Sequence, residues 1–406
     1  MTVRPVGGRL TVLEAGELPL WGTATRQPLP SLASGSPEGW AEFERVLAVR
    51  LDAMGDVLMT TPALRALKAV RPERQLTLLT SSAGAEVAAL LPEIDETIVY
   101  DPPWMKAPSS PDPASDRAMI ERLAAGRFDA AAIFTVHTQS PHPTALLCHL
   151  AGIARRLGHS RENPYRLLTE WVAEPEADRP LRHETRRQLD LVAAVGLDAR
   201  DDHLSLRVPA DAYRRVRGHL AAAGLDVRKP WLLVHPGASA SSRRYPPERW
   251  VEAARIVTDT TGWPIVWSGA ANERSFVAEC AAATGAVALH GGSVADLAAL
   301  VALAPIVATN NTGPAHIAAA VGTPVVDVYA QTNAQHAPWH VPNRVVFADV
   351  PCRDCRRSVC PQGHHRCLLD VPPGAVADAV LDVAIEVGLS VPAPVGSFAP
   401  VAGLAQ

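Results

Sequence analysis

Val46-Leu47-Ala48-Val49-Arg50-Leu51-Asp52-Ala53-Met54-Gly55-Asp56 is the stretch on which the fold turns. Its first six residues form a short apolar run of strand length. Asp52 to Gly55 then break the run with small and polar residues, and a helical pattern follows from about Asp56 to Val70. A strand passing through a glycine-containing turn into a helix opens a βαβ unit. Pro62 lies inside that helical pattern beside Thr60 and Thr61, so it either starts a turn capped by Thr61 or kinks a helix already begun. A second strand, Gln75 to Thr80, follows the break at Pro72.

Outward from this unit the alternation continues. Strands are predicted at Thr97–Tyr100 and Ala130–Thr135, and helices at Ser115–Ala125, Thr144–Leu150 and His183–Val195. A second cycle opens after Lys229-Pro230. Trp231 to Val234 reads as a strand, His235 to Ala238 as a turn and Pro247 to Thr260 as a helix. Strands at Ile265–Ser268, Ile306–Thr309 and Val325–Tyr329 alternate with helices at Glu273–Thr284, Val294–Leu303 and Pro314–Val321. Repeated βαβ units mean parallel sheets covered by helices. The simplest architecture is α/β: two Rossmann-like domains, 41–215 and 225–390, facing each other across a cleft, with a boundary near Leu206–Lys229. Residues 1–40 and 391–406 read as flexible tails, the first with one short strand at Leu10–Leu13.

Two domains plus tails suit 406 residues, since a domain usually takes roughly 100–200. Hydrophobic residues at 48% and charged residues at 20% fit a globular chain. With 38 basic and 42 acidic side chains, the net charge of -4 implies no basic face for nucleic acid. No apolar run reaches the roughly 18 residues of a membrane span; Ala298 to Ala308 is interrupted by Pro305. No basic region followed by an apolar core marks a secretory signal, so the cytoplasm is the expected compartment. Cys148 and Cys280 read as ordinary core residues in a reducing environment.

Ligands of open parallel sheets bind at the carboxyl ends of the strands. The residues directly after strands are therefore the candidates. Asp56 follows Gly55, which lets the backbone turn tightly beside the carboxylate; it reads as a helix cap or as a proton acceptor. His235 to Arg244 combines glycine, hydroxyls and paired arginines, a composition suited to a diphosphate or to a solvated polar loop. No Walker lysine motif and no G-x-G-x-x-G is present. Glu273, after Gly269, can accept ribose hydroxyls or stabilise a helix N-terminus. Asn311-Thr312-Gly313-Pro314-Ala315-His316 turns another helix N-terminus toward the cleft, with His316 open to a structural role such as bonding a backbone carbonyl. His137-Thr138-Gln139-Ser140 follows a strand and could line an acceptor pocket or form a capped turn.

These sites, in this order, resemble the family 9 glycosyltransferases, whose best-known members are the ADP-heptose:lipopolysaccharide heptosyltransferases. The resemblance runs from about Arg45 to Leu389 and is patchy between Asp101 and Arg179. It rests on Arg50-Leu51 with Met54-Gly55-Asp56-Val57 and Thr61-Pro62-Ala63-Leu64, and on His235-Pro236-Gly237-Ala238 with Arg243-Arg244-Tyr245-Pro246-Pro247-Glu248-Arg249. Gly269 with Glu273, and Asn311-Thr312-Gly313-Pro314 with His316 and Gly322-Thr323-Pro324, complete it.

The resemblance implies a GT-B fold and transfer of a sugar with inversion from a nucleotide diphosphate donor, heptose or similar and ADP-linked. No cofactor and no catalytic metal is implied; the nucleotide-diphosphate sugar is the co-substrate. By position, Asp56 matches the general base. Ser241, Ser242 and Arg243 match the diphosphate contacts, and Glu273 the ribose carboxylate. Thr312 and Gly313 match the loop beside diphosphate and sugar. Asn311 stands where the family usually has Asp, which puts the identity of the donor sugar in question. Gly55, His137 and Gln139 fall on the acceptor side. The implied acceptor is a cell-envelope glycan or glycolipid, met at the inner face of the cell membrane.

Cys352-x2-Cys355-x4-Cys360-x6-Cys367, with His364 and His365 nearby, has the density of a structural zinc site or of reduced thiols. Two other functions remain open on sequence grounds: a sugar-nucleotide epimerase or hydrolase of the same fold, and a catalytically impaired nucleotide-sugar binding protein.

Overall fold

The computed structural model describes residues 10–13, 31–106, 112–174, 182–330, 333 and 335–391. Fourteen strands are found among them: β1 (Leu10–Leu13), β2 (Leu32–Ser34), β3 (Arg45–Arg50), β4 (Gln75–Thr80), β5 (Glu96–Val99), β6 (Ala130–Ile133), β7 (Arg155–Ser160), β8 (Glu170–Ala173), β9 (Leu232–His235), β10 (Ile265–Gly269), β11 (Val287–His290), β12 (Ile306–Asn310), β13 (Val325–Val328) and β14 (Asn343–Ala348). They make two seven-stranded sheets, ordered β2-β8-β7-β6-β3-β4-β5 and β1-β14-β13-β12-β9-β10-β11. All pairings are parallel except β1 on β14 and β2 on β8.

The central strands are apolar throughout because helices cover both faces. In β3, Val46 and Ala48 enter one core layer while Leu47 and Val49 enter the other. Strand order reverses between β3 and β6, and again between β9 and β12. Such reversals leave crevices at the carboxyl ends of the strands, and these two crevices hold the candidate residues.

The helix after β3 runs unbroken from Met54 to Ala69 with Pro62 inside it. Proline cannot donate to the carbonyl four residues back. Thr61 takes its place, its hydroxyl donating to Leu58 O at 2.7 Å. The same hydroxyl oxygen accepts the Ser205 N–H at 3.0 Å. The sequence-level choice between a cap and a kink thus resolves into a side chain repairing the gap.

Two expectations change. The segment read as a flexible tail contributes an edge strand to each sheet: the expected Leu10–Leu13 strand lies on β14, and Leu32–Ser34 lies on β8. Trp40 is fully buried, and its carbonyl accepts from Arg74 Nη2 at 2.5 Å. The C-terminal tail, from residue 392 onward, lies outside the described residues. The segment expected as a boundary holds a helix, Ala210–Ala222, that packs onto the second domain. Val216 and Leu220 join the core beside Ala298 and Val301, and Arg215 Nη2 pairs with Asp296 Oδ1 at 2.8 Å.

Buried histidines give the fold a pH dependence. Burial lowers His159 and His235 from 6.5 to about 4, and His183 and His316 to about 3. His137 and His336 are lowered as well, again mainly by burial. The unfolded chain takes up protons on these rings below 6.5 while the folded chain does not, so their stabilising effect is complete above pH 6.5 and is lost as pH falls toward 4. Asp52, Asp327, Asp354 and Asp378, all raised by burial, act in the opposite sense but are fewer than the six histidines. The denaturant midpoint is therefore expected to be lower at about pH 5 than at about pH 7.5, with net proton uptake on unfolding. An equal or higher midpoint at the lower pH would contradict the count of neutral rings.

Candidate functional site

At the end of β3 the fully buried Arg50 guanidinium faces three carboxylates. Nη2 donates to Asp56 Oδ1 at 3.2 Å and to Glu184 Oε1 at 3.0 Å. Nε lies 3.0 Å from Asp52 Oδ2, close enough for charge pairing but outside hydrogen-bond geometry. The tight turn after β3 puts Asp52 and Asp56 on either side of this one cation, while Glu184 opens the helix Glu184–Ala193 from far along the chain. Burial pushes Asp56 up, but Arg50, helped by His336, His316 and Arg243, outweighs it and holds the carboxyl below its ordinary 3.8. Asp52 goes the other way: burial beats Arg50 and raises it to about 6.

Asp56 fills the capping role that its position suggests and keeps its other oxygen free of the cap. Oδ2 caps the helix by accepting the Ala53 N–H at 3.2 Å. Oδ1 turns toward the opposite domain, with His336 Nε2 at 3.9 Å. The domains meet closely here. A Cβ on Gly55 would lie 2.5 Å from His316 Cδ2, and one on Gly313 would lie 3.2 Å from Met54 Sδ. His316 bonds no backbone carbonyl among the described residues. Its buried Nδ1 has no partner, and its ring meets that of His336 at 6.5 Å.

On the second domain, Asn310 knits the phosphate-type loop to the sheet. Its amide donates to Pro236 O at 2.7 Å and its oxygen accepts the Tyr245 N–H at 3.1 Å. Glu273 lies against the same loop; a Cβ on Gly237 would come within 2.3 Å of both its carboxylate oxygens. Oε2 also accepts the Ala270 N–H at 3.0 Å, so helix-capping and a cleft-facing position coexist. Thr312 holds the N-cap position of the Gly313–Val321 helix without a side-chain capping bond, and the start of that helix lies against Met54.

Three of the residues expected to contact the donor have hydrogen-bond partners within the protein. Ser242 is buried, and its hydroxyl donates to Arg357 O at 2.7 Å. Ser241 Oγ donates to Ser358 O at 3.4 Å. Both hydroxyls tie the loop to the 357–358 segment, and Arg243 in the same loop has a buried Nε without a partner. Asn311 is 4% exposed, and its oxygen accepts the Ala330 N–H at 3.2 Å. It secures the loop from within, a task an aspartate oxygen could also perform.

On the first domain, Gln139 Nε2 donates to Asp52 Oδ1 at 2.6 Å. His137 is buried and lines a polar cavity of about 310 Å³ with His159, Glu174 and Arg187. A second cavity, of about 220 Å³, opens at Asp52 and shares Gln139 and Ser140 with the first. The cysteine segment is not assembled as a metal site. Among the described residues the one group of three metal-type ligands within 4.8 Å is the surface trio Asp201, Asp202 and His203. Cys352 Sγ instead contacts His364 Nε2 at 3.6 Å. Cys148 and Cys280 are buried core residues, as expected.

Residues 117–365 match the profile of glycosyltransferase family 9 (heptosyltransferase). The chain belongs to glycosyltransferase family 9. Lipopolysaccharide heptosyltransferase 2 of Salmonella typhimurium is 24% identical over 356 residues, covering 85% of this chain and 100% of the relative. The solved family 9 glycosyltransferase of Veillonella parvula superposes with a TM-score of 0.70 at 19% identity, over 84% of this chain and 98% of that one. The ADP-heptose LPS heptosyltransferase II of Escherichia coli gives 0.65 at 20% identity, over 84% and 99%. The fold of this family 9 glycosyltransferase is therefore GT-B, as the sequence resemblance implied. No helix among the described residues is long and apolar enough to cross a membrane.

Arg50 is the residue whose role sequence reading missed, and it yields a test. Lysine keeps one charge but cannot fork between carboxylates. Arg50→Lys should therefore let Asp56 protonate at higher pH, read as an upward shift in its carboxyl carbon NMR titration. The acid limb of the enzyme's pH–rate profile should move the same way. An unmoved titration would mean that the histidines and Arg243 suffice to hold Asp56 ionised.

Proposed function

We propose that this enzyme moves a heptose or similar sugar from an ADP-linked donor, with inversion, to a cell-envelope glycan or glycolipid, working in the cytoplasm at the inner face of the membrane. The donor and acceptor classes rest on the names of the relatives. The observation that carries the mechanism is the ionised Asp56 carboxylate, held by Arg50 and turned toward His316, His336 and the Gly313–Val321 helix of the second domain. In an inverting transfer the acceptor hydroxyl attacks the anomeric carbon opposite the leaving diphosphate. Asp56 Oδ1 accepts the hydroxyl proton as that bond forms. Arg243 and the N–H groups at the start of the Gly313–Val321 helix offset the charge growing on the departing diphosphate. Glu273, pressed against Gly237, accepts the ribose hydroxyls.

The retained Asp56 cluster favours transfer over a binding-only role, because burying three carboxylates around one arginine is costly unless the charge is used. Asp56→Asn tests this directly. Transfer should fall by about 10²–10⁴-fold while calorimetric affinity for the donor nucleotide stays near wild type. Turnover within threefold of wild type would remove Asp56 from the mechanism.

The two donor loops are tested separately. Arg243→Ala should weaken ADP binding far more than AMP binding, because its charge serves the distal phosphate. Glu273→Gln should weaken both about equally, since ribose is common to them. Calorimetry giving the reverse ranking would reassign the loops.

A further inference from the structure

The cavity of about 220 Å³ at the carboxyl ends of β3 and β6 has a built polar end and apolar walls. Its polar end is Asp52, Gln139 and Thr135; its walls include Trp104, Met105 and Phe134. Asp52 is 8% exposed, with Gln139 Nε2 on Oδ1 at 2.6 Å and Arg50 Nε 3.0 Å from Oδ2. An ionised carboxylate offers about four lone-pair positions, so acceptor capacity remains. Thr135 is only 7% exposed, yet its Oγ1 has no hydrogen-bond partner. A buried hydroxyl left without a partner is costly unless something enters to meet it.

The charge around the cavity is one-sided. Of the described residues lining it, Asp52 alone is charged. Arg50 stands behind it, already shared among Asp52, Asp56 and Glu184. An anionic group would meet a carboxylate with no free cation. Size points the same way: the volume is below the ~300–1,000 Å³ of drug-sized sites, so a single ring fits and an oligosaccharide does not. The same guanidinium touches Asp56 at 3.2 Å, which sets the polar end of the cavity next to the proposed base.

The geometry points to this cavity as the subsite for the acceptor's terminal residue, with an uncharged, hydroxyl-rich sugar ring packed on the apolar walls and its hydroxyls on Asp52, Gln139 and Thr135. This rests on the transfer reading above and adds the acceptor's chemical class. Asp52 and Thr135 are then specificity-determining residues, separate from the proton transfer at Asp56.

Ligand-observed NMR on the full chain saturated with ADP tests it without requiring turnover. The probes are the methyl glycoside of a neutral hexopyranose and that of the corresponding hexuronic acid. The neutral glycoside should bind saturably and the uronide at least about tenfold more weakly. Thr135→Val should weaken the neutral glycoside about three- to tenfold, and Asp52→Asn should narrow the gap between the two probes. Both variants should bind ADP as wild type does in calorimetry, which shows that they fold. Uronide binding equal to or tighter than that of the neutral glycoside, no saturable neutral binding, or a Thr135→Val variant with unchanged affinity would each overturn the assignment. Failure of the transfer reading appears elsewhere, as loss of ADP binding by wild type or as full activity of Asp56→Asn.

Discussion

One buried guanidinium organises the centre of this glycosyltransferase. Arg50 leaves water at the end of a central strand, and such a transfer is tolerated only when charge and hydrogen bonds replace the lost hydration. Three carboxylates supply them, yet one positive charge cannot satisfy all three equally. The hydrogen-bonded pair, Asp56 and Glu184, is held ionised below the ordinary range, whereas Asp52, off the N–H direction, rises to about 6. The division is geometric: Nη2 reaches two partners and Nε faces the third askew. By drawing in Glu184, the arginine also fixes the entry of the Glu184–Ala193 helix beside the turn after β3.

Close approach, between the domains at Gly55 and Gly313 and within the second domain at Gly237, depends on residues that lack side-chain bulk. Gly55 admits the His316 ring, Gly313 admits Met54, and Gly237 admits the Glu273 carboxylate. None of the three has a positive φ, so the need is for room and not for unusual backbone. His316 and His336 are held neutral by burial, with His336 Nε2 3.9 Å from Asp56 Oδ1. The result is a polar centre in which a carboxylate, two imidazoles and a helix N-terminus converge from distant parts of the chain.

Much of this was legible in the sequence where the signal is local. Apolar runs leading into Gly55 or Gly269 announced strand, turn and helix, and they placed Asp56 and Glu273 at strand ends. Both residues cap helices, one of the two readings each offered in the sequence. What stayed hidden depends on distant partners. Arg50 gains its meaning from a glutamate 134 positions away, and Ser242 spends its hydroxyl on a carbonyl 115 positions away. No periodicity records either. Strand β7 was missed because Arg155-Arg156-Leu157-Gly158-His159-Ser160 buries polar side chains that meet partners only after folding: Arg156 donates to Leu167 O and His159 approaches Arg187 O.

The N-terminal segment has a consequence beyond its own contacts. A parallel sheet that ends on an uncovered strand offers a row of unpaired N–H and C=O groups on which another chain can build. Here the last parallel strand on one side of each sheet, β14 and β8, is covered by a short antiparallel strand from the first 34 residues. These residues lie outside the stretch that carries the family resemblance. They act as a hem: the border of each sheet on that side is a strand of only four or three residues, a short edge that offers another chain little to pair with.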